Sequence, residues 1–276
     1  MCLAVLAMTL VTVTPTLATT LGSRGRPVRG LDVSSYQHIG RTINWRLLAR
    51  EGMKFAAIKA SEGTYYTNPY YAADARAAAT AGLSVMPYVF ANPHQAPGAA
   101  TARFGIAAAH YVRDRSRLPL EVDLENDPYT RSEHVNACYG LRVPQMVAWI
   151  AAFVRQTVAL TGKAPIIYTM TPWWRKCTGS TTRFRTEPLW LASYDTTRPG
   201  IPSAWQRWTF WQYDNNAKVP GVGLTDLDFY QATSALPALR RVEGSHKKRE
   251  SSPSRPHRST RATPKRKSSS RSHRRR

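Results

Sequence analysis

The feature that most constrains the fold is an alternation of short apolar runs with helix-like segments between Arg26 and about Arg240. The apolar runs are bounded by Gly, Pro and polar residues, which is typical of buried strands. Eight runs predict strands, at Arg29–Val33, Phe55–Ala60, Leu83–Phe90, Leu118–Leu124, Ala164–Thr169, Pro188–Ala192, Thr209–Tyr213 and Leu224–Tyr230. Strand–helix alternation favours a parallel sheet, and eight strands favour a closed barrel.

Helix signals are concentrated in the earlier part of the chain. Four helices are predicted, at Asn44–Glu51, Asn68–Ala81, Ala99–Val112 and Val143–Thr161. Gly82 and Gly162 stand at the ends of two of them, where glycine commonly stops a helix. The prediction is therefore an α/β fold, an irregular TIM-like (β/α) barrel over residues 27–240 that is helix-poor in its second half.

The first twenty residues have the composition of a targeting segment. Leu3 to Val13 is apolar apart from two threonines and is too short to span a bilayer as a mature helix. Thr16-Leu17-Ala18 offers a cleavage site, although no positive charge precedes the apolar run. We predict a signal peptide over residues 1–20 and a secreted protein; the alternative is a buried N-terminal helix.

The last 34 residues carry a large share of the positive charge. The whole chain has a formal net charge of +22, and residues 243–276 hold 13 Lys/Arg against 2 Asp/Glu. Ser, Pro and Arg alternate there with almost no apolar residues, so this segment lacks the means to form a core. The prediction is a disordered basic tail with an anionic partner, such as anionic wall polymers, anionic lipids or extracellular DNA.

The number of cysteines is consistent with an oxidising, extracellular compartment. Of three cysteines, Cys2 would leave with the signal peptide, which leaves Cys138 and Cys177. An even pair in an exported chain predicts one disulfide. Two unpaired buried thiols are the alternative.

Four acidic residues fall near the ends of predicted strands, where the chemistry of such barrels is carried out. They are Asp32, Asp123, Glu125 and Asp226. Residues i and i+2 of a strand share a face, so Asp123 and Glu125 are expected to point together into the barrel mouth. Two neighbouring carboxyls do not both ionise readily, and glycoside hydrolysis needs one protonated and one ionised carboxyl. Glu125, with the longer reach, is the predicted acid.

Other chemistries have weaker support in the sequence. The same oxygens could bind Ca²⁺ or Mg²⁺, but no EF-hand loop is present and the seven histidines have no zinc-like spacing. No nucleophile elbow, phosphate loop or dinucleotide fingerprint occurs. We predict no metal and no cofactor.

An ordered set of motifs resembles glycoside hydrolase family 25, the Chalaropsis-type lysozymes. These motifs are Gly30-Leu31-Asp32-Val33-Ser34-Ser35-Tyr36-Gln37, Ile43-Asn44-Trp45, Phe55-Ala56-Ala57-Ile58-Lys59-Ala60-Ser61-Glu62-Gly63, Ala81-Gly82-Leu83, Asp123-Leu124-Glu125, Leu189-Trp190-Leu191-Ala192, Phe210-Trp211-Gln212-Tyr213 and Asp226-Leu227-Asp228. The resemblance implies hydrolysis of the β-1,4 bond from N-acetylmuramic acid to N-acetylglucosamine. It implies Glu125 as general acid, with Asp123, Asp32 and Asp226 around it. Asp123 would act either as a nucleophile or by orienting the substrate's acetamido group.

The resemblance also implies sugar contacts. The candidates are Tyr88, Phe90, Tyr168, Trp190, Trp211 and Gln212, and core packing is the alternative for each aromatic residue. Where the family has Tyr-His-Phe, this chain has Tyr88-Val89-Phe90, a departure that concerns substrate contacts. Lys59 and Glu62 fit either a buried ion pair or a substrate contact.

Two other functions are compatible with the sequence. One is a barrel that binds peptidoglycan without cutting it, and the retention of all four acids argues against it. The other is a secreted polyanion-binding protein that acts through the basic tail, since phosphate binding needs only Lys and Arg. No nucleic-acid-binding motif supports the second reading. The resemblance implies a secreted, cell-wall-associated protein with peptidoglycan as its partner. We expect a monomer with no obligate protein partner.

Overall fold

A computed structural model describes residues 27–111 and 118–231. The predicted signal peptide and the basic segment 243–276 lie outside these residues. The described chain forms nine strands: β1 Val28–Val33, β2 Phe55–Glu62, β3 Tyr66–Thr67, β4 Ser84–Phe90, β5 Glu121–Leu124, β6 Ile166–Thr169, β7 Leu189–Ala192, β8 Phe210–Val219 and β9 Gly223–Tyr230. Eight correspond to predicted strands, and the two-residue β3 was not predicted.

Eight of these strands close into a barrel. Their order is β1-β9-β8-β7-β6-β5-β4-β2, and β2 pairs again with β1, while β3 adds to β2 outside the ring. The predicted irregular barrel is confirmed. A wholly parallel sheet is wrong, because β9 runs antiparallel to both β8 and β1. The reason is a tight turn between β8 and β9, where Gly221 and Gly223 adopt φ of 92° and 88°, a backbone conformation that glycine tolerates best.

Six helices accompany the strands: α1 Trp45–Arg50, α2 Tyr71–Thr80, α3 Gly98–Ala108, α4 Thr130–Glu133, α5 Val143–Thr161 and α6 Thr171–Thr178. The four predicted helices are present, although α3 ends four residues before the predicted Val112. The short α4 and the α6 helix were not predicted. Proline in the first turn of α6 is a start signal that sequence reasoning could have used.

Strand alternation separates a barrel interior from two outer layers. Large side chains such as Phe55, Met86, Phe210 and Tyr230 fill the lower interior. One outer cluster packs α5 and α6 against β4–β7, and a second packs α1 and α2 against β1 and β2. The lower barrel is therefore filled by side chains. Only its upper end, at the carboxyl ends of the parallel strands, is available for a site.

A disulfide joins Cys138 to Cys177, with the two Cα atoms 5.4 Å apart. It ties the segment before α5 to the end of α6, and both residues are buried in the larger outer cluster.

Replacing both cysteines, as Cys138→Ala with Cys177→Ala, should lower the free energy of unfolding by about 4 kcal/mol. The bridge closes a loop with a sequence separation of 39, and the chain-entropy model assigns about 4 kcal/mol to a loop of that length. Urea unfolding of the double variant measures this. Reduced wild-type protein is the matched control and should unfold at the same urea concentration as the double variant. Equal stability of oxidised protein and double variant would contradict the expectation.

Candidate active site

The fifth strand brings a row of acids into the upper barrel. Glu121 and Asp123 lie on β5 and Glu125 follows it at the same spacing, so their side chains point inward. The alternate residues Val122 and Leu124 point outward and are buried under α5. The strand is therefore buried on both faces: its apolar residues pack under α5, and its acids line the upper barrel.

A second group of acids comes from the seam where β1 meets β9. Asp32 stands opposite Asp226 in the antiparallel register, and Asp228 stands opposite Gly30, one layer lower. The side-chain amide of Gln212 on β8 donates to an Asp32 oxygen at 2.7 Å and approaches an Asp226 oxygen at 3.4 Å. Gln212 therefore holds the two upper seam carboxylates in a fixed arrangement.

The two acid groups share one open cavity of about 240 Å³ at the carboxyl ends of the parallel strands. The cavity is lined by Asp32, Val33, Ser34, Tyr36, Gln37, Lys59, Tyr88, Phe90, Glu121, Asp123, Glu125, Tyr168, Trp190, Gln212 and Asp226. All four acids predicted from the sequence line it. Of the predicted sugar contacts, all but Trp211 line it as well.

Several aromatic residues in this lining are braced by hydrogen bonds. The Tyr168 hydroxyl donates to Gln212 at 2.8 Å, and the Trp190 indole donates to Asp228 at 2.9 Å. Trp190 is 2% exposed and Tyr168 is 7% exposed. Both are thus chiefly part of the core that supports the acids, whereas Tyr88 is less deeply buried.

Trp211 lies on the other side of the barrel wall. Because Gln212 points inward, alternation along β8 sends Trp211 outward, where its indole donates to the Ser193 carbonyl at 2.8 Å. Trp211 contacts the outward-facing Phe229 and Tyr213. The structure does not bring it together with the predicted catalytic residues.

Val89, which stands where the family carries His, also points outward. It is fully buried in the larger outer cluster. Gly105 of α3 packs against it so closely that an added Cβ would overlap the valine methyl group. The replacement of His therefore leaves the cavity lining unchanged.

Burial and mutual repulsion raise the pKa of the upper carboxyls. Burial raises the pKa of Asp32 to about 6 against the lowering effect of its hydrogen bonds. Burial, and then the Asp32 carboxylate, raise the pKa of Glu125 to about 7, while Lys59 opposes the shift. Burial and the charge of Asp32 raise the pKa of Asp226 to about 8. The cavity thus retains protonated carboxyls near neutral pH.

The deeper acids are shifted in the same direction. Burial raises the pKa of Asp123, and Glu125 adds to the shift. Burial likewise raises the pKa of Glu121, with Asp123 as the main charged neighbour. The charge of Glu125 adds to the shift at Asp123, and Glu125 itself remains partly protonated near neutral pH because its pKa is about 7. The proton is available at the open end through Glu125, which is the more exposed of the two.

Lys59 provides a positive charge beside this pair. Its ammonium lies 2.5 Å from a Glu62 oxygen and 4.6 Å from the Phe90 ring centre. Burial opposes ionisation of Glu62, but Lys59 and the hydroxyls of Tyr65 and Tyr129 outweigh it and lower the pKa. The predicted buried ion pair is confirmed. Lys59 also lines the cavity, and its contact with a substrate stays a prediction.

Sequence reasoning missed two inward-facing acids and two residues at the cavity mouth. Glu121 and Asp228 are two positions from predicted acids, so the same alternation rule would have found them. Tyr36 and Gln37 follow β1 in a 3-10 turn, and Gln37 donates to the Leu224 carbonyl at 3.2 Å. The signal that could have found this turn is local: Ser34 caps it, and Gln37 three residues later accepts from the Ser34 N–H at 2.8 Å, as in a capping box.

Within residues 27–111 and 118–231, no three His, Cys, Asp or Glu side chains converge in a way that could hold a metal ion.

Comparison with known proteins gives consistent matches. Residues 31–222 match the sequence profile of Glycosyl hydrolases family 25. The chain is 41% identical over 192 residues to the N,O-diacetylmuramidase of Chalaropsis sp, covering 67% of this chain and 87% of that protein. It is 36% identical over 211 residues to Lysozyme M1 of Streptomyces globisporus, covering 75% and 69%. The bacterial lysozyme structure from Streptomyces coelicolor superposes with a TM-score of 0.71 at 35% identity, covering 80% of this chain and 99% of that chain.

Proposed function

Because the chain belongs to family 25 of the glycosyl hydrolases, we propose that it is a lysozyme that hydrolyses the β-1,4 bond between N-acetylmuramic acid and N-acetylglucosamine in peptidoglycan. The observation that carries the proposal is the open cavity in which Asp123 and Glu125 lie together, with the pKa of Glu125 raised to about 7 by burial and by the charge of Asp32. The muramidase and lysozyme names of the similar proteins support the substrate.

Glu125 is the proposed general acid. A carboxyl with a pKa of about 7 is half protonated at neutral pH and can donate to the glycosidic oxygen as the bond breaks. The same group, once ionised, can take a proton from the attacking water in the second half of the reaction. Lys59 limits how far the pKa rises, so both forms are accessible near neutral pH.

Asp123 is the proposed partner for the positive charge that develops at the sugar. One of its oxygens is buried and has no hydrogen-bond partner within the described residues. A buried acceptor of this kind is normally satisfied, and an acetamido N–H of the substrate would satisfy it. Asp123 and Glu125 also extend from the same side of one strand. We therefore assign Asp123 to orienting the acetamido group, whose oxygen attacks the anomeric carbon.

The remaining lining residues supply shape and support. Asp32 and Asp226, held by Gln212, form the wall opposite β5. Tyr88 and Phe90 line the side between them, where their rings offer apolar contact to a sugar face.

The reaction itself can be tested with purified peptidoglycan. The expected products carry new reducing ends of N-acetylmuramic acid, identified by borohydride reduction and hydrolysis. New reducing glucosamine would assign a different bond. Adsorption without any new reducing end would support a binding barrel instead, and the proposed function would be wrong.

Alkaline pH should reduce turnover because it removes the acidic proton. Glu125 is protonated below a pKa of about 7, so kcat/KM should fall about tenfold per pH unit above that value. A pH series on soluble glycan fragments measures this alkaline limb of the pH–rate profile. The charge of Lys59 lowers the pKa of Glu125, so the double variant Lys59→Met with Glu62→Gln should shift the limb to higher pH. An unchanged limb in that variant would contradict the assignment.

We also propose that the protein is secreted and associates with the cell wall. The predicted signal peptide over residues 1–20 and the disulfide both suit an exported protein. Residues 243–276, with 13 Lys/Arg, would raise the enzyme's concentration near anionic wall polymers by electrostatic attraction.

Removing the residues after Val242 should leave turnover of short soluble glycans unchanged and weaken adsorption to intact walls. The loss should be largest at low salt, since exposed charges are screened beyond about 8–10 Å at physiological ionic strength. Pull-down on walls across a salt series, with and without the segment, measures the effect. Equal adsorption at every salt concentration would rule out the targeting role.

A further inference from the structure

The outer face of β8 and β9 is only partly covered by the helical layers. Leu227 of β9 is buried in the outer cluster around α1 and α2, and Tyr213 of β8 packs against that cluster. Trp211 of β8 and Phe229 of β9 belong to neither outer cluster and remain partly exposed. Two large, partly exposed aromatic side chains beside the helical layers mark a candidate binding surface.

These residues form the floor of a second pocket. Phe229 stacks on Tyr213 with ring centres 4.1 Å apart, and Trp211 lies 6.0 Å from Phe229. The hydrogen bond from Trp211 to the Ser193 carbonyl fixes the indole. The floor is therefore a contiguous and preformed aromatic surface, which loses little conformational entropy on binding.

The rim of this outer pocket is polar. Asp195 and Thr196 follow β7, and Asp214 and Asn215 lie on β8. The pocket is open and has a volume of about 530 Å³, and no Lys or Arg occurs among the described residues that line it. Rings flanked by hydroxyl, amide and carboxylate groups suit a saccharide, which has apolar C–H faces and polar edges. The two carboxylates disfavour a polyanion.

The outer pocket adjoins the catalytic cavity through one side chain. Tyr194 lines the outer pocket, and its hydroxyl donates at 2.5 Å to Gln212. Gln212 lines the catalytic cavity and holds Asp32. Tyr194 thus links the lining of the outer pocket to the residue that holds the seam carboxylates of the catalytic cavity.

We propose that the outer pocket is a second saccharide-binding site, which holds a further stretch of the uncharged, N-acetylated glycan backbone while the barrel cavity cuts it. The identity of that glycan rests on the proposed function. The site would act through avidity: a second contact on the same polymer raises the local concentration of glycan at the cavity.

The test compares matched variants in the full-length chain. Phe229→Ala removes the centre of the floor, and Trp208→Ala is its control, since Trp208 is a partly buried aromatic residue near Trp211 that does not line the pocket. Asn215→Ala removes a rim amide, and the neighbouring exposed Asn216→Ala is its control. Each is placed in a Glu125→Gln background, and adsorption to peptidoglycan freed of anionic polymers is measured in about 1 M salt, where charges are screened beyond about 3 Å.

Adsorption should weaken about tenfold for Phe229→Ala and about threefold for Asn215→Ala, with both controls unchanged. With Glu125 intact, Asn215→Ala should cleave the shortest soluble fragments at the wild-type rate. Equal adsorption of Asn215→Ala and Asn216→Ala would overturn the second site, as would a parallel loss of short-fragment turnover, which would make the pocket part of the catalytic groove. Neither result contradicts the proposed function. That function is tested separately, by the formation of new reducing ends, and fails if none form.

Discussion

Glu125→Gln is expected to lower the rate of peptidoglycan hydrolysis by about 10²–10⁴-fold while leaving the fold intact. Gln matches Glu in size, so the cavity keeps its shape, but an amide cannot deliver a proton to the leaving oxygen. Initial rates of reducing-end release from purified peptidoglycan measure the loss.

Measurements of folding and of binding distinguish this loss of catalysis from general damage to the protein. The variant should unfold at the wild-type temperature or slightly above it, because it removes one carboxyl from a crowded group of buried acids. It should also adsorb to peptidoglycan as the wild type does. Turnover within about threefold of wild type would show that another group donates the proton.

Asp123→Asn is the second large effect, with an expected loss of about 10²–10³-fold, the range found when one group that stabilises transition-state charge is removed. Asn keeps an oxygen that can accept the acetamido N–H but carries no negative charge. Asp127→Asn is the matched control, since Asp127 is buried just after β5 and does not line the cavity. Near-normal turnover of Asp123→Asn would contradict the assignment.

A modified substrate separates the two roles that suit Asp123. If the acetamido oxygen attacks the anomeric carbon, a glycan carrying a hydroxyl in place of that acetamido group should bind and remain uncut. If Asp123 attacks directly, the wild-type enzyme should cut the modified glycan and form a covalent glycosyl-enzyme. Mass spectrometry of the quenched protein detects that adduct.

The barrel was predictable because its signals are local. Each strand is a short apolar run, and eight such runs imply closure. The upper acids were predictable for the same reason: alternation alone places Asp123 and Glu125 on one face. The reversal of β9 was not, since an antiparallel strand and a parallel strand have the same pattern of side chains. Trp211 lies outside the cavity because Gln212, its neighbour on β8, faces inward, and considering the motif as a block did not separate the two.

The network around the acids depends on long-range contacts that no local pattern encodes. Gln212 reaches Asp32 across 180 residues of sequence, and Tyr129 reaches Glu62 across 67. Helix α5 shows the same effect on a smaller scale. Its buried face continues through Thr157 and Thr161, while Leu160, an apolar residue near that face, is 44% exposed. Packing against the barrel, and not hydropathy, decides which residues are covered.

The seam between β1 and β9 also governs when activity can arise during synthesis. Asp32 and Thr225 meet there although 193 residues separate them, so the wall of the cavity opposite β5 is built from the first and last strands of the ring. A nascent chain that has emerged as far as β8 already contains Glu125 and Asp123, yet it lacks Asp226 and has an open barrel. Closure must await β9, and contacts of such high sequence separation form slowly. A ribosome-bound intermediate that ends before β9 therefore lacks the complete cavity, which forms only in a late step of synthesis.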